Sequence, residues 1–168
     1  LNPMIAGAAM ALFTLPVMVP PLMLGLGLLT YFTSVGLKLG LNTVIMGHLV
    51  FTQPFVILIV YARMAHFDYA IVNSARDLGA TPLRVFFTIV LPIARPTIIG
   101  AALIAMALSL DDFIITFFTI GGGNTLPTFL WGMMRKVITP QINVVAIFIM
   151  ALTITVSLIA IRISRYRG

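Results

Sequence analysis

The sequence predicts an all-α integral membrane protein. Of its 168 residues, 61% are hydrophobic and only 8% are charged, where a soluble domain carries charge on about a quarter of its residues. Three runs, Met4–Phe32, Thr43–Ala62 and Ile142–Ile161, contain no Asp, Glu, Lys or Arg. A helix needs roughly 20 apolar residues to cross the hydrocarbon core, so each run is long enough to span. Pro96–Ile120 is long enough as well, although Asp111 and Asp112 interrupt it. The expected architecture is a single transmembrane domain over residues 1–168, with four spans at 4–32, 43–62, 96–120 and 142–161.

The first span is irregular. Pro16, Pro20 and Pro21 each remove a backbone donor and disfavour continuation of a helix. A broken helix survives in a membrane only where protein or a water-filled cavity satisfies the freed groups. The span therefore lines a pathway or packs deep in a bundle. It is too long for a cleavable signal peptide and no basic residue precedes it. The chain opens at Leu1, almost inside this span, and reads as lacking an N-terminal part. Thr33–Asn42 joins it to the second span, where His48 and Gln53 lie about 140° apart around a helix and read as interhelical hydrogen-bonding groups. With His66 the only other histidine and no cysteine, no metal site is expected.

Lys and Arg accumulate on the cytoplasmic side of membrane proteins. Arg63, Arg76, Arg84 and Arg95 lie between spans two and three, and Arg162, Arg165 and Arg167 follow span four. Two crossings separate these regions, so they share a side. The 63–95 segment and the C-terminus are expected in the cytoplasm. The net charge of +6 belongs to residues flanking spans and not to a basic arm, which excludes a nucleic-acid partner. Outside lies Gly121–Gln141. Its Gly121-Gly122-Gly123 run lacks the Lys of a phosphate-binding loop and reads as a flexible turn. Thr128–Val137 reads as a short interfacial helix anchored by Trp131.

The 63–95 segment holds the most specific pattern. Asp68 can cap a helix over Tyr69–Leu78, and Gly79 supplies the backbone freedom that ends it. Thr81 is a second cap with Pro82 at the first helical position. A second short helix is expected to run to Leu91 and stop at Pro92. The result is two short helices meeting at a glycine, at the membrane surface, between two spans.

These residues resemble the cytoplasmic loop of ATP-binding-cassette importer permeases. That family's pattern is E-A-A, three residues, G, nine residues, I, one residue, L-P. Here Asn73-Ser74-Ala75 stands at the E-A-A position. Arg76, Asp77 and Leu78 precede Gly79, and Ile89, Val90, Leu91 and Pro92 close the pattern. The resemblance implies a type I importer permease bundle of six spans, of which this chain would supply four. It also implies that the loop is a coupling helix docking into an ATPase subunit. Asn73 replaces the family's glutamate, so an ion pair at that position is lost and docking would rest on packing, with Arg76 and Asp77 at the edge.

Arg76-Asp77-Leu78-Gly79-Ala80, Leu108–Phe113, Thr125-Leu126-Pro127 and Ile138–Asn143 are similar to the spermidine/putrescine permease subfamily, and to its second permease subunit. That similarity implies import of a small cationic solute, a polyamine, across the bacterial inner membrane. The partners would be a second permease subunit, an ATPase dimer carrying ATP and magnesium, and a soluble binding protein. The chain itself would be no enzyme and hold no cofactor. Another small solute and a proton-coupled carrier using Asp111 or Asp112 as a relay are the alternative functions. A purely structural subunit would leave the two carboxylates without a role. Ser109, Asp112, Thr116 and Thr119 recur at helical three- and four-residue spacing, so Asp112 is expected to face the pathway with Ser109 and Thr116. Asp111 shares its stripe with Leu108, Ile115 and Phe118 and is expected to pair with a group on a neighbouring helix.

Overall fold

The computed structural model describes residues 3–135 and 140–165. Val137, Ile138, Thr139 and Arg167, which enter the sequence reading, lie outside the described residues, as does Lys136. The described residues are helical, with turns and irregular connections between the helices. In order they are α1 (Pro3–Met18), α2 (Pro21–Ser34), α3 (Leu41–Met64), α4 (Tyr69–Asp77), α5 (Pro82–Val85), a π-helical turn (Phe86–Val90), α6 (Leu91–Asp111), α7 (Ile114–Thr119), α8 (Leu126–Met134) and α9 (Pro140–Arg165).

Only part of the four-span expectation is met. Among the described residues, Leu41–Met64 and Pro82–Asp111 are the continuous helices long and apolar enough to cross a membrane. At 24 residues, α3 is about 36 Å long, enough for a hydrocarbon core of about 30 Å. The run expected as span one is two helices bent by 105°. Pro20 is extended, with ψ at 135°, and Pro21 opens α2 at its first position. Two successive residues without an N–H leave the ladder no means of continuing. The fourth expected span falls on α9, whose described apolar part is Asn143–Ile159.

The third span is displaced from its expected limits. Helix begins at Pro82 and continues to Asp111, so Pro92 does not end it. The π turn explains this. The Leu91 N–H donates to Phe86 O, five residues back, and the widened turn makes room for the Pro92 ring while one donor is missing. Helix stops instead at Asp112, whose ψ is 123°, and Phe113 leads into the separate α7. The stretch 112–120 is thus no continuation of the long helix.

α9 packs along α6, α3 packs on α6 and α7, and α1 packs on α3. The short α7 is wedged between α2 and α3, and Ile115, Thr116 and Thr119 are buried. Glycine permits that approach. A Cβ at Gly47 would stand 2.9 Å from Ile115 Cγ2, and one at Gly25 would stand 2.8 Å from the Phe118 ring. Thr43 ties the wedge in place by donating to the Thr119 carbonyl at 2.8 Å.

Candidate functional site

The break at 111–113 is held by a cluster of polar side chains from three helices. Asp112 lies just beyond α6 in extended backbone, and its carboxylate turns onto the first turn of α7. Its Oδ2 accepts the Thr116 N–H at 2.9 Å and stands 3.3 Å from the Thr116 hydroxyl. Acceptance by a short acidic side chain offers the backbone an alternative to the helix ladder, which is why the chain breaks here. From α3, His48 reaches across with both ring nitrogens. Nδ1 is 2.6 Å from Ser109 Oγ on α6, and Nε2 is 2.8 Å from Thr116 Oγ1 on α7. Nε2 also lies 3.3 Å from Asp112 Oδ2.

One arrangement of protons satisfies the whole cluster. Ser109 donates to Nδ1, Nε2–H donates to Thr116 Oγ1, and the Thr116 hydroxyl donates to Asp112. The chain of bonds is nearly dry, with the side chains of His48 and Asp112 12% and 8% exposed. His48 is therefore an interhelical hydrogen-bonding group, as its place in an apolar helix predicts. Gln53 makes no side-chain hydrogen bond among the described residues.

The structure brings Ser109, Asp112 and Thr116 together, and all three line a cavity of about 460 Å³ with His48, Thr52 and Met106. Thr119 is not part of that lining; it is buried and donates to the Ile115 carbonyl. The two carboxylates differ from expectation in one respect. The bond to a neighbouring helix is made by Asp112, through His48. Asp111 is exposed and has no ion pair or hydrogen bond among the described residues. Helical spacing could not foresee this, because the helix stops between the positions it relates.

The 63–95 segment folds as its capping residues predict. Asp68 accepts the Ala70 N–H at 2.9 Å and caps α4, and Thr81 caps the helix that starts at Pro82. Gly79 has φ +83°. Asn73, Ser74, Arg76 and Asp77 are exposed on α4, and Ala75 is half-buried. Leu78 is 89% exposed and Leu83 72% exposed, so the turn presents apolar side chains left largely uncovered by the described residues. Leu91 and Pro92 stand apart, about 13 Å along the helix from Pro82, at the π turn.

The family model for the binding-protein-dependent transport system inner membrane component matches residues 1–167. The chain belongs to that family. It is 36% identical over 156 residues to the putrescine transport system permease protein PotI of Escherichia coli K12, which covers 89% of this chain and 56% of the relative. It is 29% identical over 149 residues to the spermidine/putrescine transport system permease protein PotC of the same organism, covering 88% and 56%. The chain thus spans a little over half the length of these relatives. A solved structure of inward-facing conformations of the MetNI methionine ABC transporter superposes with a TM-score of 0.81 at 20% identity, covering 99% of this chain and 77% of that one. At that identity the likeness concerns the fold, which is that of an importer permease. Membership makes this an inner-membrane transport component and not an enzyme.

Sequence reasoning missed two features of the site. Trp131, read as an interfacial anchor, packs against Phe113 and Phe117 with ring centroids 5.3 Å and 5.2 Å away. Thr153 of α9 stands beside the break and no local pattern marks it. Its closeness arises only from the packing of α9 along α6.

Proposed function

We propose that the chain is a permease subunit of an ATP-driven importer and that its solute is a polyamine. The observation that carries the importer reading is the family match over residues 1–167. The names of PotI and PotC and the two carboxylates at a helix break support a cationic solute. Residues 63–95 and the C-terminus face the cytoplasm in this reading, in keeping with the distribution of arginine. Asn73, Ser74, Ala75, Arg76, Asp77 and Gly79 form the coupling surface that meets the ATPase, and Leu91 and Pro92 let the helix behind it bend. The ATPase dimer holds ATP and magnesium. A second permease subunit completes the pathway, and a soluble binding protein delivers the solute. The broken helix, with Asp111, Asp112, Ser109 and Thr116, lies on that pathway.

A short helix pinned by two caps and a glycine turn can transmit a displacement that a floppy loop cannot. A proton-coupled carrier has no use for such an element, although His48 and Asp112, linked through the Thr116 hydroxyl, are the kind of relay it would need. Uptake separates the two. The full-length protein, reconstituted with its partner subunits, should take up labelled putrescine only with ATP, and should do so with a proton uncoupler present. Uptake that ignores ATP and collapses with the uncoupler would replace the importer by the carrier.

A further inference from the structure

We propose that His48 is the proton-controlled positioning residue of a site for one alkylammonium group at Asp112: neutral His48 leaves the carboxylate to the solute, and protonated His48 takes it. This deepens the transport reading above and rests on it.

The carboxylate is only half committed. The Thr116 N–H, the Thr116 hydroxyl and His48 Nε2 all meet Oδ2. No group among the described residues donates to Oδ1. The one polar side-chain atom among them that is both sealed in and unpartnered is Thr153 Oγ1, so Asp112 Oδ1 is open to the space beside it. A carboxylate has about four acceptor sites, which leaves one oxygen for a cation. With the Asp112 side chain 8% exposed, little water screens a charge held there.

The surroundings supply room and no second charge. His48 and Asp112 both line the cavity of about 460 Å³, and its other described lining residues carry no ionisable group. Ile45 and Leu49 on its wall suit the alkyl chain behind an ammonium. The helices packed on α3 bring no further charge to His48. α1, α2 and α7 contain no Asp, Glu, Lys or Arg, and Tyr31 of α2 lies outside the lining. On α6, Arg95 is about 21 Å along the helix from Ser109, and Asp111 lines the two neighbouring cavities instead.

Both partners of the imidazole serve either of its charge states. In the neutral ring Ser109 donates to Nδ1 and Nε2–H donates to Thr116 Oγ1. A proton on Nδ1 turns that nitrogen into a donor. A hydroxyl both donates and accepts, so Ser109 meets the change by rotating its O–H, and no helix has to move. A backbone carbonyl or N–H in its place would hold one state alone. The imidazolium then stands 3.3 Å from Oδ2 and offsets the carboxylate's charge, so a proton and a solute ammonium compete for one site. Histidine changes charge in mild acid, and mild acid therefore closes the site.

The test uses the full-length protein assembled with cysteine-free partner subunits. This sequence contains no cysteine, so Met106→Cys, on the cavity wall, reports the local potential. At about pH 8 a cationic methanethiosulfonate should label it about tenfold faster than an anionic one. That ratio cancels the titration of the thiol itself, and it should fall to about one near pH 5.5. His48→Gln can accept from Ser109 and donate to Thr116 but takes no proton, so it should keep the preference at both pH values. Asp112→Asn should remove it at both. In transport at about pH 8, His48→Leu should lower ATP-dependent putrescine uptake about tenfold through lost positioning, and His48→Gln should restore most of it. At subsaturating putrescine the ratio of wild-type to His48→Gln uptake should fall toward acid by up to about tenfold per pH unit, as competition by one proton requires. A preference that persists near pH 5.5 in the wild type, or that His48→Gln loses in acid as the wild type does, would overturn the proposal. If Asp112→Asn does not assemble, the comparison of wild type with His48→Gln decides. If Met106→Cys does not label, the uptake ratio decides alone, and a flat ratio overturns the proposal. If labelling behaves as expected while the wild-type complex takes up no putrescine, the polyamine reading fails and the proton-controlled site stands.

Discussion

Replacing Gly79 tests whether the turn after α4 transmits force. Gly79 sits at φ +83° as the left-handed residue of a Schellman motif. The Ala80 N–H donates to Ala75 O at 3.0 Å, and the Gly79 N–H donates to Arg76 O at 2.8 Å. A Cβ at this position meets no atom within 4 Å, so any loss on substitution comes from backbone conformation and not from a clash. The left-handed region costs an L-residue about 1–2 kcal/mol. That changes the population of the turn by a factor of about 5–30. Valine is worse, because a β-branched residue is a true outlier there. α4 packs mainly on α5 and the π turn, so little else fixes its angle. In the assembled complex, Gly79→Ala should lower ATP-dependent uptake several-fold and Gly79→Val should abolish it, with unchanged amounts of protein in the membrane. Gly122, which has open space and no positive φ, provides the control: Gly122→Ala should transport normally. Wild-type uptake by Gly79→Val, or an equal loss in Gly122→Ala, would refute the coupling role.

The polar cluster at the helix break makes its own prediction. Asp112→Asn removes the carboxylate that accepts from Thr116 and faces His48, and should destabilise the purified complex by about 1–3 kcal/mol. Thermal denaturation in detergent reads this out, and an unchanged midpoint would reject the anchoring role. Gly47→Leu should push Ile115 out of place, since even a Cβ would lie 2.9 Å from it, at a cost of about 1–3 kcal/mol. Protease resistance should fall in Gly47→Leu and hold in Gly27→Leu, where a Cβ meets nothing within 4 Å; equal resistance in both would mean α7 is not wedged as described.

Local signals in the sequence were strong wherever the chain decides its own conformation. Asp68, Gly79, Thr81 and Pro82 act on neighbours within a few residues, so their caps and turn could be read directly and stand in the structure as expected. Pro20 and Pro21 announced a broken first helix but not its angle, which depends on what α1 and α2 each pack against. Pro92 misled, because a proline's effect depends on whether the preceding turn can widen, and here the π turn at Phe86–Val90 absorbs it. Of the stripe expected at 109, 112, 116 and 119, the structure brings the first three together around one cavity and leaves Thr119 apart. Their common partner on α3 was legible only as a histidine in need of hydrogen bonds.

By itself the sequence determined the membrane as solvent, through its uncharged runs, and the family, through the spacing from Asn73 to Pro92. It also determined the capped helix and glycine turn, whose hydrogen bonds all close within one local segment. Only the tertiary structure decided which carboxylate has no hydrogen bond or ion pair among the described residues. Asp111 and Asp112 are adjacent and chemically identical, and they are distinguished by contacts with residues more than forty positions away. His48 crosses from α3 to engage Asp112, and the end of α6 leaves Asp111 beside Thr153 of α9. Such contacts arise from helix packing, which residue spacing along one helix does not encode.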